Sequence, residues 1–312
     1  MLAPEVKALL EFMNSQPSVA IADLTPEMMR DRTMPPPENI EAVLRVVDTV
    51  IPLVAQDNEV GSSDPLPARI YYPQGYEEVD GGSPAILFFH GGGFVACDLD
   101  THDGMCRTLC NASGSVVVSV DYRLAPEARF PAAPEDAFRA LLWLHQEAGA
   151  LGVNSSAISV CGDSAGGNLA AVLCLLTRDR QGPAIQKQLL LYPVTSPSCD
   201  TESHHKFAEG YFLGREQMQW FWQHYLGDKA TASTPYVDLL AADVSSLPPA
   251  VIVTAEYDPL CDEGKLYADR LNAAGNTVEY RCAAGQIHGF CSFADHIPQG
   301  REVLVGLFGV DL

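Results

Sequence analysis

Eight short apolar runs punctuate the chain, near 49–55, 66–72, 85–89, 116–121, 157–161, 188–192, 250–255 and 277–282, each of strand length. Ala85-Ile86-Leu87-Phe88-Phe89 and Val116-Val117-Val118-Ser119-Val120 are apolar almost throughout, as strands buried on both faces are. After the fifth run the period changes: between Asn168 and Arg178, Leu169, Val172, Leu173, Leu175 and Leu176 fall at helical spacing, with Arg178 and Asp179 near the end. Strands alternating with helices predict an α/β fold with a mainly parallel eight-stranded sheet flanked by helices. Two segments stand apart. Residues 1–45 read as helical at Ala3 to Met13 and again near Asn39 to Val47, divided by Pro35-Pro36-Pro37, which cannot continue a helix. Residues 196–233 gather Phe207, Tyr211, Phe212, Trp220, Phe221, Trp222 and Tyr225. These two pieces are expected to form a helical cap over a core made of 46–195 and 234–312. No internal repeat and no low-complexity segment is evident.

Two glycine-rich strings carry the candidate chemistry. Gly162-Asp163-Ser164-Ala165-Gly166 follows the strand-like Ala157-Ile158-Ser159-Val160-Cys161 and precedes the helical stretch. Strand, tight turn and helix form the context in which G-x-S-x-G lifts a serine out of a sheet. A phosphate-binding turn is the alternative, but the lysine and the G-x-G-x-x-G spacing are missing. His90-Gly91-Gly92-Gly93 begins the loop after the run at 85–89. Its glycines leave peptide N–H groups free to face one oxygen, and fixed donors aimed at a developing oxyanion are worth about 2.7–4 kcal/mol each. Gly92, Gly93 and Ala165 are the expected oxyanion donors, with His90 and Gly91 supporting the loop.

A serine hydroxyl needs an imidazole base, itself oriented by a carboxylate. In the order serine, acid, histidine, the base is one of His204, His205, His224, His288 or His296. Only His288 follows a late strand-like stretch, Thr277 to Cys282, in a loop able to return to the catalytic edge. The acid should end the preceding strand, where Glu256, Asp258, Asp262 and Glu263 stand. Asp258 precedes Pro259, which favours an extended loop there. Glu263 is expected in a first helical turn, complementing the dipole.

The chain resembles the bacterial hormone-sensitive-lipase-like (family IV) carboxylesterases of the α/β-hydrolase superfamily, through HGGGF at 90–94, DYRLAPE at 121–127, GDSAGGNLA at 162–170, AEYDPLCDEG at 255–264 and HGF at 288–290. The resemblance implies Ser164 as nucleophile, Asp258 and His288 as its partners, and Gly92, Gly93 and Ala165 as oxyanion donors. It implies hydrolysis of short- to medium-chain carboxylic esters through an acyl-enzyme, no cofactor, and a homodimer formed through the last strand and helix. Amide or formamide hydrolysis with the same triad is one alternative. A small-molecule receptor on this fold is another, weakened by the presence of His288. Cys261 departs from the pattern, since many relatives carry arginine there. Glu127, with Arg123, is expected to buttress the oxyanion loop, and Asp163 to play a structural part rather than that of the triad acid. Most of the cap aromatics are expected to pack its own core, the alternative being a pocket over Ser164.

The 312 residues are 47% apolar, enough for one large core. A formal charge of −21 disfavours nucleic acid and anionic membrane surfaces as partners. No 18-residue uncharged apolar stretch and no signal-peptide pattern is seen, so a soluble cytoplasmic protein without stable membrane anchoring is expected. Nine cysteines without a secretory signal suggest reduced thiols, with Cys106 and Cys110 on one helical face. His204-His205 sits in a polar, loop-like stretch and is expected at the surface; no metal is expected.

Overall fold

In the computed structural model, which describes residues 1–17, 19–31, 40–53, 65–227, 234–294 and 296–308, the apolar runs become one sheet. Its strands are β1 (Arg45–Ile51), β2 (Leu66–Tyr72), β3 (Ser83–Phe89), β4 (Val116–Val120), β5 (Val153–Asp163), β6 (Gln188–Leu191), β7 (Ala250–Tyr257) and β8 (Val278–Ile287). They lie in the order β1-β2-β4-β3-β5-β6-β7-β8. β2 runs antiparallel to both β1 and β4, and the remaining neighbours are parallel. The helices are α1 (Pro4–Ser15), α2 (Pro26–Arg30), α3 (Asp103–Ser113), α4 (Ala132–Gln146), α5 (Ala165–Asp179), α6 (Glu202–Lys206), α7 (Arg215–Leu226), α8 (Cys261–Ala273) and α9 (Pro298–Gly306). Parallel neighbours need crossovers, and α3, α4, α5 and α8 lie in the connections that supply them.

The sheet is covered on both faces, which is why its central strands show no polar alternation. Along β3, Leu87 and Phe89 join one buried cluster, with Val118, Val160 and much of α4 and α5. Ile86 and Phe88 join the other, with Val6 and Leu10 of α1 and Cys106 and Leu109 of α3. α5 is buried from Ala165 to Thr177, so its apolar residues extend around the whole helix.

One expectation fails near the amino terminus and another shifts. The segment expected to be helical at 39–47 runs instead into β1 at Arg45–Ile51, which begins earlier than the strand expected near 49–55 and takes in its first residues. Val46, Val47, Thr49, Val50 and Ile51 are β-branched, and pairing of Arg45 to Ile51 against Tyr72 to Leu66 outweighs the weak helical spacing. Asn39, Pro35 to Pro37, and the end of the expected strand lie outside the described residues.

α1 is tied to β8 by the Ala3 N–H, which donates to the Gly285 carbonyl at 3.0 Å. A 3-10 turn at Ile21–Asp23 lies against α7, so the amino-terminal segment meets the aromatic one. Among the described residues, no helix is long and apolar enough to cross a membrane.

Candidate active site

β5 ends at Asp163, and Ser164 stands between it and α5 with φ 55° and ψ −116°, a conformation an L-residue adopts only when its surroundings impose it. The Ser164 N–H donates to the Leu191 carbonyl at 2.9 Å, and its own carbonyl accepts from Val194 and Asn168 N–H, each at 3.1 Å. Glycine at 166 is a packing requirement. A Cβ there would lie 1.9 Å from the Phe89 carbonyl oxygen, so a side chain would drive β3 away from the turn.

The turns after β7 and β8 bring two further side chains to this serine. His288 Nε2 lies 2.8 Å from Ser164 Oγ, and His288 Nδ1 lies 2.8 Å from Asp258 Oδ2. Asp258 is fully buried, and its Oδ1 accepts from the Leu260 N–H at 2.8 Å. An ionised carboxylate only accepts, so the His288 proton belongs on Nδ1, leaving Nε2 to receive the serine hydroxyl proton. The Tyr192 ring meets the imidazole edge-on, with centroids 5.0 Å apart, and limits its rotation.

Across from this relay, Gly92 and Gly93 adopt φ of 102° and 61°. A Cβ on Gly92 would fall 2.2 Å from the Ala96 carbonyl oxygen, and one on Gly93 2.2 Å from the Phe221 ring of α7. The N–H groups of Gly92, Gly93 and Ala165 find no acceptor among the described residues. The loop is braced from below. Phe94 stacks on Tyr225 of α7 with centroids 3.9 Å apart, and the Tyr122 hydroxyl donates to the His90 carbonyl at 2.8 Å.

Asp163 is not the partner of His288 Nδ1, which is bonded to Asp258. Its Oδ1 accepts from the Gly91 N–H at 2.9 Å and lies 3.2 Å from His102 Nε2. Burial pushes its pKa up, but the attraction of His102, its hydrogen bond, and the weaker pulls of His90 and His288 together hold it below the usual range. Burial and the nearby His102 push His90 down to about 4, so it is neutral near pH 7. Glu127 makes its contact through Arg30 of α2. The guanidinium donates to both Glu127 oxygens at 2.9 and 2.7 Å, to the Val95 carbonyl at 2.9 Å and to the Ala125 carbonyl at 3.0 Å. Arg123 pairs instead with buried Asp136. Arg30 and His102 were not singled out in the sequence. Arg30 is 97 positions from its carboxylate, and no local pattern signals that pairing.

One other sequence expectation is corrected. His204 is buried in α6, its Nδ1 2.7 Å from Thr201 Oγ1; only His205 is exposed. A five-residue helix is too short to show periodicity. Glu263 lies in the first turn of α8, as expected, and is buried there. Its Oε1 accepts from the Thr195 N–H at 2.6 Å. Burial raises its pKa to about 8 and lowers that of His204 to about 4, so their 3.6 Å contact joins two neutral groups near pH 7. Of the aromatics, Phe207, Trp220, Phe221, Trp222 and Tyr225 are buried as expected, whereas Phe212 is exposed.

A family profile for the alpha/beta hydrolase fold, Abhydrolase_3, matches residues 86–292. Carboxylic ester hydrolase LipN of Mycobacterium tuberculosis is 44% identical over 237 residues, which are 74% of this chain and 62% of LipN. Esterase LipI of the same organism is 38% identical over 297 residues, covering 94% of this chain and 90% of LipI. The solved hyperthermophilic esterase of Pyrobaculum calidifontis superposes with a TM-score of 0.89 at 37% identity, over 99% of this chain and 97% of that one. By these matches, and by the strand order and motifs above, this chain belongs to the Abhydrolase_3 family of alpha/beta hydrolases, the hormone-sensitive-lipase-like group.

Proposed function

We propose that the protein is a serine carboxylesterase acting on short- to medium-chain esters through Ser164, His288 and Asp258. The observation that carries this reading is the continuous relay of two 2.8 Å hydrogen bonds, beside the unengaged N–H groups of Ala165, which follows Ser164, and of Gly92 and Gly93. His288 Nε2 takes the hydroxyl proton as Ser164 Oγ attacks the ester carbonyl, and the three N–H groups hold the oxygen as it becomes negative. Asp258 keeps the proton on Nδ1 and offsets the imidazolium charge. The imidazolium then protonates the departing alcohol, and water repeats the attack on the acyl-enzyme with His288 again as base. Neutral His90, buried Gly91, Asp163 and Glu127 position the donor loop.

Residues 1–45 and 196–233, which carry α1, α2, α6 and α7, are read as the cap that walls this site. The nine cysteines stand as free thiols, which accords with a cytoplasmic setting. A homodimer through the last strand and helix, β8 and α9, is the expected assembly, and a monomeric mass by light scattering across a concentration series counts against it. The function is tested by hydrolysis of p-nitrophenyl esters from acetyl to palmitoyl by the wild type and Ser164→Ala. Serine-dependent turnover peaking at short chains supports the esterase. A maximum at palmitoyl points to a lipase-like site, and a folded protein inactive on every ester points to amide substrates.

A further inference from the structure

Cys261 and Cys282 form a thiol pair that the hydrolytic chemistry does not use. Cys261 opens α8 three residues after Asp258, and Cys282 lies in β8 beside its register partner Thr254 of β7. Their sulfurs are 4.0 Å apart, and Cys261 Sγ lies 3.8 Å from Thr254 Oγ1. Cys282 is exposed and Cys261 partly so, whereas Cys106, Cys110, Cys161, Cys174, Cys199 and Cys291 are buried. Burial pushes Cys97, the remaining thiol, up to about 12. The contact between the two sulfurs, in which either can donate, acts the other way on Cys282, holding its thiol below the ordinary range and favouring the nucleophilic thiolate. To bond, the two sulfurs need to close by about 2 Å.

We propose that Cys261 and Cys282 are a redox-active dithiol that a low-molecular-weight disulfide converts to an intrachain disulfide, and that closure displaces the Asp258 turn and slows ester hydrolysis. The second half rests on the reading of Asp258 as the acid of the relay. In the first step the Cys282 thiolate attacks one sulfur of the reagent, RSSR; that bond breaks, and RS⁻ leaves and takes up a proton. Cys261, once deprotonated, attacks the Cys282 sulfur of the mixed disulfide, and the second RS⁻ leaves and is protonated. Two electrons pass from the protein thiols to the reagent, giving one protein disulfide and two RSH.

The link to the site is short. The Cys261 N–H donates to the Asp258 carbonyl at 3.0 Å, and the intervening Leu260 N–H donates to Asp258 Oδ1 at 2.8 Å. Drawing the start of α8 toward β8 therefore strains the same turn that aims Oδ2 at His288 Nδ1. Misplacement of a catalytic group by about 1 Å can cost about a hundredfold, so partial displacement is expected to lower kcat about tenfold.

The test equilibrates the whole protein in glutathione buffers of rising oxidised fraction, alkylates the remaining thiols, and maps peptides without reduction beside kcat and KM for p-nitrophenyl acetate. The expected result is a Cys261–Cys282 cross-link, a tenfold fall in kcat with little change in KM, and recovery in dithiothreitol. Cys282→Ser should keep the reduced enzyme's activity and lose the response, while Cys261→Ser should stop at a glutathionyl adduct on Cys282. No cross-link at the oxidised limit, or a cross-link between two chains, overturns the dithiol. A cross-link with unchanged kcat overturns its control of turnover. Asp258→Asn, measured fully reduced, keeps the readings separate: undiminished turnover there removes Asp258 from the relay without bearing on the cross-link.

Discussion

Ser164 occupies a backbone conformation that costs about 1–3 kcal/mol to hold, and the surrounding hydrogen bonds to Leu191, Val194 and Asn168 keep it there. Members of a relay act as a unit, so Ser164→Ala and His288→Ala are each expected to lower kcat by about 10³-fold or more while leaving the unfolding transition in place. Substantial activity in either folded variant removes that residue from the mechanism. Gly93→Ala tests the donor loop separately. Its methyl would press into the Phe221 ring at a φ of 61°, shifting the N–H away from the oxyanion, and a fall of about 10²–10³ in kcat is expected. Unchanged kcat would exclude the Gly93 N–H as a donor. Arg30 acts on the same loop from outside it. Arg30→Ala should reduce kcat more than it raises KM, with partial recovery on adding guanidinium to the assay. A change in melting temperature alone, without that recovery, would leave Arg30 only a structural part.

At the scale of elements, α8 carries a second titratable anchor beside the acid turn. Glu263 accepts from Thr195 in the loop after β6, with neutral His204 at 3.6 Å; burial raises its pKa most, and Asp258 adds to that shift. Its folded pKa of about 8 lies above the ordinary 4.5, so it binds a proton more tightly folded than unfolded. The stability from this linkage is full below the ordinary pKa and is lost as pH rises through about 8. Glu263→Gln retains a carbonyl for the Thr195 N–H and cannot ionise, so its stability should fall less than that of the wild type between pH 5 and 8.5. Parallel urea-unfolding curves for the two proteins across that range would refute the assignment. The elements themselves were largely legible, because strands covered on both faces have continuous apolar sequences and the motifs mark the turns that end them. Ser164 could be selected by its motif, His288 by chain order together with the strand before it, and Asp258 by its place before Pro259, and the three meet. What stayed hidden depended on distant partners: β1 on pairing with β2, buried His204 and Glu263 on the packing of α6 against α8, and Arg30 on a carboxylate far along the chain.

The whole molecule carries a net charge of −21, with 40 carboxylates against 19 lysines and arginines, so 21 of the carboxylates have no cation of their own. The available cations are already shared: Arg69 alone contacts Asp48, Asp100 and Asp103. Salt therefore has two opposed effects. It weakens exposed pairs such as Lys265–Asp269, each worth about 0–1 kcal/mol, and it screens repulsion among the excess carboxylates, which destabilises the compact state. The large excess makes the second effect dominant. Shortening the Debye length from about 30 Å at 0.01 M to about 8 Å at 0.15 M should raise the melting temperature by about 2–4 °C. The same screening separates substrate types. A neutral ester feels no net field, so its KM should not change over this range, whereas an ester bearing a free carboxylate should bind better as salt rises. A melting temperature that falls with salt would show that the paired cations outweigh the excess acids, and a neutral-ester KM that changes with salt would place charge effects at the site itself.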